Sequence, residues 1–391
     1  MIFRRISYLC GKRWYSKESA TKTALYDFHV THGGKMVDFA GYLLPIQYNM
    51  GIPESHKHTR SKASLFDVSH MLQTTIRGKD RIRFIESIAT ADVEGLKVGS
   101  GCLSLFTDHE TGGILDDLII TKYTDHLSIV TNASRRDSDM KLMLKAWESI
   151  SSTGGDVSLH FEKNLSLIAL QGPKAAAVLS SVTEIPLNHF YFMQSMEMDV
   201  CGKQCCVSRA GYTGEDGFEI SIDSSDVETV AEKLVSMPDV ELAGLGVRDS
   251  LRLEAGLCLY GSDIDIKTTP TAAGLMWTIG KRRKANKDFP GAEIILNQKP
   301  KEKRVGLISR RSGPPVRGGA SVMDKYGEFI GHVTSGCPSP SLGTSIAMAY
   351  VPTEYSIGDY VYAMVRGKKV EMQVTRMPFV RTNYYTENKK K

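Results

Sequence analysis

A chain of 391 residues is longer than one hydrophobic core usually organises, so two or three domains are expected. Hydrophobic residues make up 41% and charged residues 24%, the balance of a soluble globular protein, and no window reaches the roughly 18 consecutive apolar residues of a membrane span. The net charge of +5 is concentrated in residues 1–15, and without them 45 basic residues face 44 acidic ones, so the body gives no reason to expect nucleic-acid or membrane binding.

The leader, MIFRRISYLCGKRWY, holds Arg4, Arg5, Lys12 and Arg13 among apolar residues and no acid. That is the composition of a mitochondrial transit peptide, with Arg13-Trp14-Tyr15 before Ser16 as a processing site; a disordered basic tail is the alternative. Apolar spacing of three and four predicts a helix over 79–89, with Ile82, Ile85 and Ile88 on one face. Residues 137–148 repeat the pattern with Met140, Met143, Leu144 and Trp147, and Asp137 is a candidate cap. Pro173 is placed to open a helix before AAAVLSSV, and 247–257 reads as another.

Between these helices the segments MLQTTI, CLSLFTD, ILDDLIITKY, HLSIVTNA, SLIALQ and FEISI read as strands. Their irregular, hairpin-like order predicts an α+β body with antiparallel sheets rather than a doubly wound parallel sheet. After the charged connector KPKEKR at 299–304, short strands separated by Gly, Pro and Ser turns such as SGCPSPSLG predict a C-terminal all-β barrel, followed by a basic tail over 386–391. The seven cysteines are scattered, and CGKQCC at 201–206 lacks ligand spacing, so no metal site and reduced thiols in a reducing compartment are expected.

No dinucleotide fingerprint, G-x-S-x-G elbow or H-E-x-x-H pair is present. Three other constellations carry chemistry. In GGILDDL at 112–118, strand alternation sends Asp116 and Asp117 to opposite faces, so one of them is separated from any site the other occupies. An Asp117 facing a cavity among Leu115 and Ile119 has its pKa raised by apolar walls; a solvated edge is the other reading. In RAGYTGEDGFEISI at 209–222, Glu215-Asp216-Gly217 forms a hairpin tip, and Phe218, Ile220 and Ile222 take one face and Glu219 and Ser221 the other. A carboxylate such as Glu219 suits the paired N–H edge of a pterin or guanine, and is otherwise a solvated strand position. In GLGVRDSLRLEAGLCLYG at 244–261, Arg248 and Arg252 share a helix face and Asp249 pairs by spacing with Arg252.

LFDVSHM at 65–71, GGILDDL, RAGYTGEDGFEI at 209–220, VRDSLRLEAGLCLYG at 247–261, GKRRKANKDFPGA at 280–292, TSGCPSPSL at 334–342 and MPFVRTNYY at 377–385 together resemble the glycine cleavage T-protein family. The resemblance spans about residues 26–385. It implies a three-domain cloverleaf: a folate-binding α+β region of two intertwined subdomains over 22–298 and the β-barrel over 304–385. It further implies an aminomethyltransferase of the mitochondrial matrix that uses tetrahydrofolate as co-substrate, with neither metal nor flavin. The partner is lipoylated H-protein, in a system with P- and L-proteins.

Carried over by motif, Asp117 resembles the acid at the reacting atoms, Glu219 the carboxylate on the pterin edge, Arg248 the folate-contacting arginine and Tyr384 the tyrosine closing the site. Asn132, Leu103 and Tyr212 fall in matching motifs as cavity residues. Arg381 stands where relatives often carry proline. An ordinary aspartate pKa of about 3.9 makes a poor base unless the pocket raises it, and the expected role of Asp117 is electrostatic steering and positioning rather than full base catalysis. The basic run Lys281, Arg282, Arg283 and Lys284 after Trp277 is read as a receptor for a folate polyglutamate tail or an acidic H-protein face, or as a solvated loop. Related readings are a demethylating oxidase, which needs a flavin domain that this chain has no room for, and a non-catalytic folate-binding iron–sulfur assembly factor. The second resembles K-G-C-Y-x-G-Q-E where this chain has RAGYTGEDGFE.

Overall fold

The computed structural model describes residues 20–311 and 313–387. The transit peptide expected over 1–15 lies outside the described residues, as does the tail from 388.

Three sheets and a barrel organise the chain. A small sheet joins Thr21–Lys22, Tyr42–Pro45 and Met36–Phe39. The six-stranded sheet runs Ser195–Val200, Lys203–Ser208, Gly217–Asp223, Leu165–Gln171, Ala63–Asp67, Val240–Leu242. The five-stranded sheet runs Ser100–Thr107, Ile114–Lys122, His126–Thr131, Leu72–Arg77, Ser158–Phe161. Its strands come entirely from a stretch inserted between the Ala63–Asp67 strand and the rest of the six-stranded sheet. Pairing is antiparallel except at two edges, Thr21–Lys22 with Tyr42–Leu43 and Val240–Leu242 with Ala63–Leu65.

The five-stranded sheet shows how alternation divides a core from a cavity. Ile114, Asp116, Leu118 and Ile120 are buried on one face of their strand, and Leu115, Asp117 and Ile119 lie on the other. Leu118 and Ile120 pack with Phe84, Ile85 and Ile88 of the Arg81–Ile88 helix and Met143 of the Arg136–Ser151 helix. Each such side chain contributes on the order of 1.5–3 kcal/mol by leaving water. Leu144 does not join them and is exposed. The expected cap also moves. The helix begins at Arg136 after Arg135, and Asp137 lies in its first turn, where a carboxylate favours the helix dipole. Likewise the helix after Pro173 starts at Ala175, with Lys174 as the cap residue.

The two glycines before the strand have separate reasons. Gly112 takes φ +68°, and a Cβ on Gly113 would sit 1.7 Å from the Ile266 carbonyl oxygen.

The barrel is closed by six strands in the order Glu302–Ser309, Thr344–Pro352, Phe329–Ser339, Ser321–Met323, Tyr360–Val365, Lys368–Thr375. Two turn assignments shift. Glu302 to Arg304 of the charged connector already belong to a strand, because Val305, Leu307 and the rest of the alternating run extend that far. Pro338 of SGCPSPSLG sits within a strand opposite Ser345, and the turn falls after Ser339.

Candidate functional site

Sheets, helix, barrel and C-terminal segment meet around one cavity of about 1050 Å³, at the upper end of the range of roughly 300–1,000 Å³ for small-molecule sites. Leu103, Asp117, Asn132, Tyr212, Glu219, Arg248 and Tyr384, drawn from distant parts of the sequence, all line it. The five-stranded sheet supplies Leu103 and Asp117, and Asn132 follows directly on its His126–Thr131 strand. The six-stranded sheet supplies Glu219, the Leu245–Glu254 helix supplies Arg248, and the AGLCLYG stretch passes along the wall.

Asp117 is the most heavily conditioned of these groups. Its Oδ1 accepts from Asn132 Nδ2 at 2.9 Å, and the same nitrogen reaches the Asp117 carbonyl at 3.1 Å. Burial pushes its carboxyl up to about 7, with the adjacent acid Asp116 acting in the same direction, despite the Asn132 hydrogen bond. The pocket thus supplies the rise that an ordinary aspartate lacks, and the carboxyl lies in the range that proton exchange near neutrality requires.

Asp116 is not chemically separate from Asp117. It is fully buried among core aliphatics and accepts from Asn132 N at 3.0 Å and Nδ2 at 2.9 Å. Alternation does put the two acids on opposite faces, but the Asn132 amide reaches round the strand and holds both. Behind Asp116 stands Asp139, 1% exposed, whose carboxyl hydrogen-bonds that of Asp116. Burial and the Asp139 charge hold Asp116 well above the usual carboxylate range, and burial raises Asp139 to about 6. Asp139 was not singled out from sequence, although its i, i+4 spacing to buried Met143 places an acid on the core face of its helix.

Glu219 and Arg248 are charges held in the cavity without a mutual ion pair. Burial raises Glu219, partly offset by the Arg248 charge, and burial lowers Arg248, partly offset by Glu219. Among the described residues Arg248 Nη1 is buried with no hydrogen-bond partner, and its guanidinium lies 4.7 Å from the Tyr212 ring centre. Tyr212 donates its hydroxyl to the Cys258 carbonyl. Tyr384 stacks on Phe192 with ring centres 4.1 Å apart. Sequence reasoning assigned nothing to His70, which also lines the cavity. Burial, joined by the Arg248 charge, lowers its pKa to about 4, so the ring is neutral, and its Nδ1 is unpaired.

Two charged segments are drawn into the structure. Glu215, at the expected hairpin tip, is 2% exposed and accepts from Arg60 Nη1 at 2.8 Å and Asn383 Nδ2 at 2.9 Å. The loop between the Lys203–Ser208 and Gly217–Asp223 strands folds inward because its charge has partners there. The basic run is a short helix, Lys281–Asn286, in which Arg283 is buried against the Ala91 and Glu86 carbonyls and Arg282 binds Glu86 and Asp92. Half of that run is structural rather than a free anion receptor.

Among the described residues no group of His, Cys, Asp or Glu has the arrangement of a metal site, and no helix is long and apolar enough to cross a membrane. Cys102, Cys201, Cys205, Cys206, Cys258 and Cys337 are free thiols.

Residues 25–283 match the GCVT N-terminal domain, and residues 302–381 match the glycine cleavage T-protein C-terminal barrel domain. The chain is 49% identical to the mitochondrial aminomethyltransferase of Homo sapiens, over 97% of this chain and 94% of that one. It is 49% identical to the mitochondrial aminomethyltransferase of Solanum tuberosum, over 96% and 94%. Its fold is similar to the crystal structure of glycine cleavage system aminomethyltransferase T from Bartonella henselae, with a TM-score of 0.88 and 38% identity over 94% of this chain and all of that one.

Proposed function

We infer the roles of the cavity residues from a fixed premise: the chain belongs to the glycine cleavage T-protein family. It is a tetrahydrofolate-dependent aminomethyltransferase of the glycine cleavage system. The aminomethyl group carried on a lipoyl sulfur gives up its methylene to tetrahydrofolate, with release of ammonia and dihydrolipoyl carrier. The protein is mitochondrial, and we assign it to the matrix, acting on lipoylated H-protein alongside the P- and L-proteins. The folate-binding body is assigned to 22–298 and the barrel domain to 304–385.

The cavity chemistry fits a folate. The Glu219 carboxylate suits the paired N–H edge of the pterin, and Arg248, with an unpaired nitrogen, suits an acceptor beside it. Leu103, Tyr212 and Tyr384 supply apolar and aromatic walls. The volume of about 1050 Å³ leaves room for a carrier arm to reach the same space.

The proton balance of the transfer gives Asp117 its task. Joining the methylene to two folate nitrogens removes one hydrogen from each, while the departing ammonia and the lipoyl sulfur each need a proton. A group that accepts and returns protons near neutrality suits that traffic, and a carboxyl with a pKa of about 7 is such a group. As the anion it also faces the cationic methylene that forms when ammonia leaves. Asp117 is therefore proposed as both proton carrier and electrostatic partner, a wider role than steering alone. Its position at the cavity wall with this elevated proton affinity is the observation that carries the reading. Ammonia release from aminomethylated H-protein, measured with and without tetrahydrofolate, tests it. Folate-dependent release that Asp117→Asn abolishes supports the assignment, and release unaffected by the substitution removes it.

A further inference from the structure

We propose that Asp139 is a positioning residue for the transfer: one proton is held between Asp139 and Asp116, so that Asp116 stays neutral and Asn132 fixes the Asp117 carboxylate at the cavity wall. This rests on the role of Asp117 proposed above. The geometry is a chain of four side chains running from the helical core to the cavity. Asn132 Nδ2 sits between Asp116 Oδ1 and Asp117 Oδ1, 2.9 Å from each, and Asn132 N holds the other Asp116 oxygen at 3.0 Å. Asp139, arriving from the first turn of the Arg136–Ser151 helix, closes the far end. Among the described residues its Oδ2 is buried without a hydrogen-bond partner, and the Asp116 carboxyl and the Thr131 hydroxyl face the same carboxyl group.

Two touching carboxyls in an apolar core do not both ionise, so the pair keeps a proton at neutral pH. The surroundings decide which member carries it. Arg135, whose Nε donates to the Leu115 carbonyl at 3.0 Å, lowers Asp139 by its charge, and Thr131 faces the same carboxyl. Asp117 repels a charge on either acid, but Asp116 adjoins it in the chain, and burial of Asp116 outweighs the two hydrogen bonds it accepts from Asn132. The proton therefore rests on Asp116 and the charge on Asp139. Tyr260 faces the pair and Arg135, while Asp263, Tyr212 and Cys258 face Asp117 from the remaining side. Asp263 is itself bound to Arg252 at 2.6 Å, so its charge is fixed. With Asp116 neutral, both of its oxygens are acceptors that orient the Asn132 amide, and the amide's second hydrogen is left for Asp117.

The two amide substitutions give opposite results. Asp116→Asn keeps a neutral group that donates to Asp139 but gives up one of the two contacts accepted from Asn132, so the rate falls while the acidic limb of the pH–rate profile for ammonia release stays near that of the parent. Asp139→Asn donates to Asp116 and leaves the negative charge there, next to Asp117, so the limb moves up by about one pH unit. A shift in Asp116→Asn as large as that in Asp139→Asn, or none in either, overturns the proposal. Infrared spectroscopy reads the proton directly and needs only the parent protein and two variants. At a pH above the limb, the parent shows a protonated-carboxyl C=O band that Asp116→Asn removes and Asp117→Asn leaves; absence of that band in the parent also overturns the proposal. If Asp117→Asn itself turns over normally, the reading of Asp117 fails on its own, and the band still decides the acid pair.

Discussion

Two sets of buried charges border the Leu245–Glu254 helix, and they are built in opposite ways. At its C-terminal end Glu254 is wrapped completely: Arg60 at 2.9 Å, His56 at 3.0 Å, and the hydroxyls of Ser339 and Ser341 at 2.5 and 2.8 Å. Burial alone raises a carboxyl, but these partners outweigh it and hold Glu254 at about 2. Arg60 continues to Glu215, and Glu215 to Asn383 next to Tyr384, so barrel, helices and C-terminal segment are tied together. One to two turns earlier on the helix, Arg248 has a buried nitrogen without a hydrogen-bond partner among the described residues, and across the cavity Asp117 accepts from Asn132 alone among their side chains. A buried charge whose partners are all protein groups is scaffolding. One left short of partners is held ready for something that arrives later.

The contrast breaks most visibly at Glu254. Glu254→Ala removes the buried carboxylate shared by Arg60 and His56 and is expected to cost about 3–5 kcal/mol, seen as a large fall in the denaturation midpoint. A loss below about 1 kcal/mol would mean the network is not structural. Next in size, Asp117→Asn lowers turnover by about 10²–10³-fold, the range for removing one preorganised electrostatic contact, and leaves folate affinity little changed. Glu219→Ala acts on binding instead. Titration with tetrahydrofolate is expected to show affinity weakened by about 10- to 100-fold, corresponding to about 1.5–3 kcal/mol of charge-assisted hydrogen bonding. Unchanged affinity removes Glu219 from the pterin edge.

The smallest effect concerns stability and has opposite signs in the two regions. Glu254 is depressed in the fold, so its contribution is present above the ordinary glutamate pKa and is lost as pH falls towards about 2. Asp117 is raised, so the folded state binds its proton more tightly than the unfolded chain, and stability declines as pH rises from the ordinary aspartate range through about 7. Asp117→Asn should therefore raise the melting temperature at mildly alkaline pH and change it little below pH about 4. A variant that is destabilised at alkaline pH contradicts the view of Asp117 as an uncompensated charge.

Most of the strands, the barrel and the opposite orientations of Asp116 and Asp117 were legible because period-two patterning is local. All seven proposed site residues meet at one cavity, but their meeting was legible only through motif resemblance, since Leu103 and Tyr384 are far apart in the chain. What stayed hidden depends on who faces whom across elements. The inward fold of Glu215 requires Arg60 from another helix, the consumption of Arg282 requires Glu86 and Asp92, and the link from Asp117 to Asp139 requires an amide reaching round a strand. Spacing within one segment carries none of these. The pKa of Asp117 follows from the same arrangement, which is why its role widened once the structure was known.

The central claim, that an under-compensated acid at the cavity wall moves protons during transfer, is tested most directly by the pH dependence of ammonia release from aminomethylated H-protein at saturating tetrahydrofolate. The parent is expected to lose rate below an apparent pKa of about 7, in a limb that disappears in Asp117→Asn. A profile that stays flat through neutrality, or a limb that persists in the variant, contradicts it.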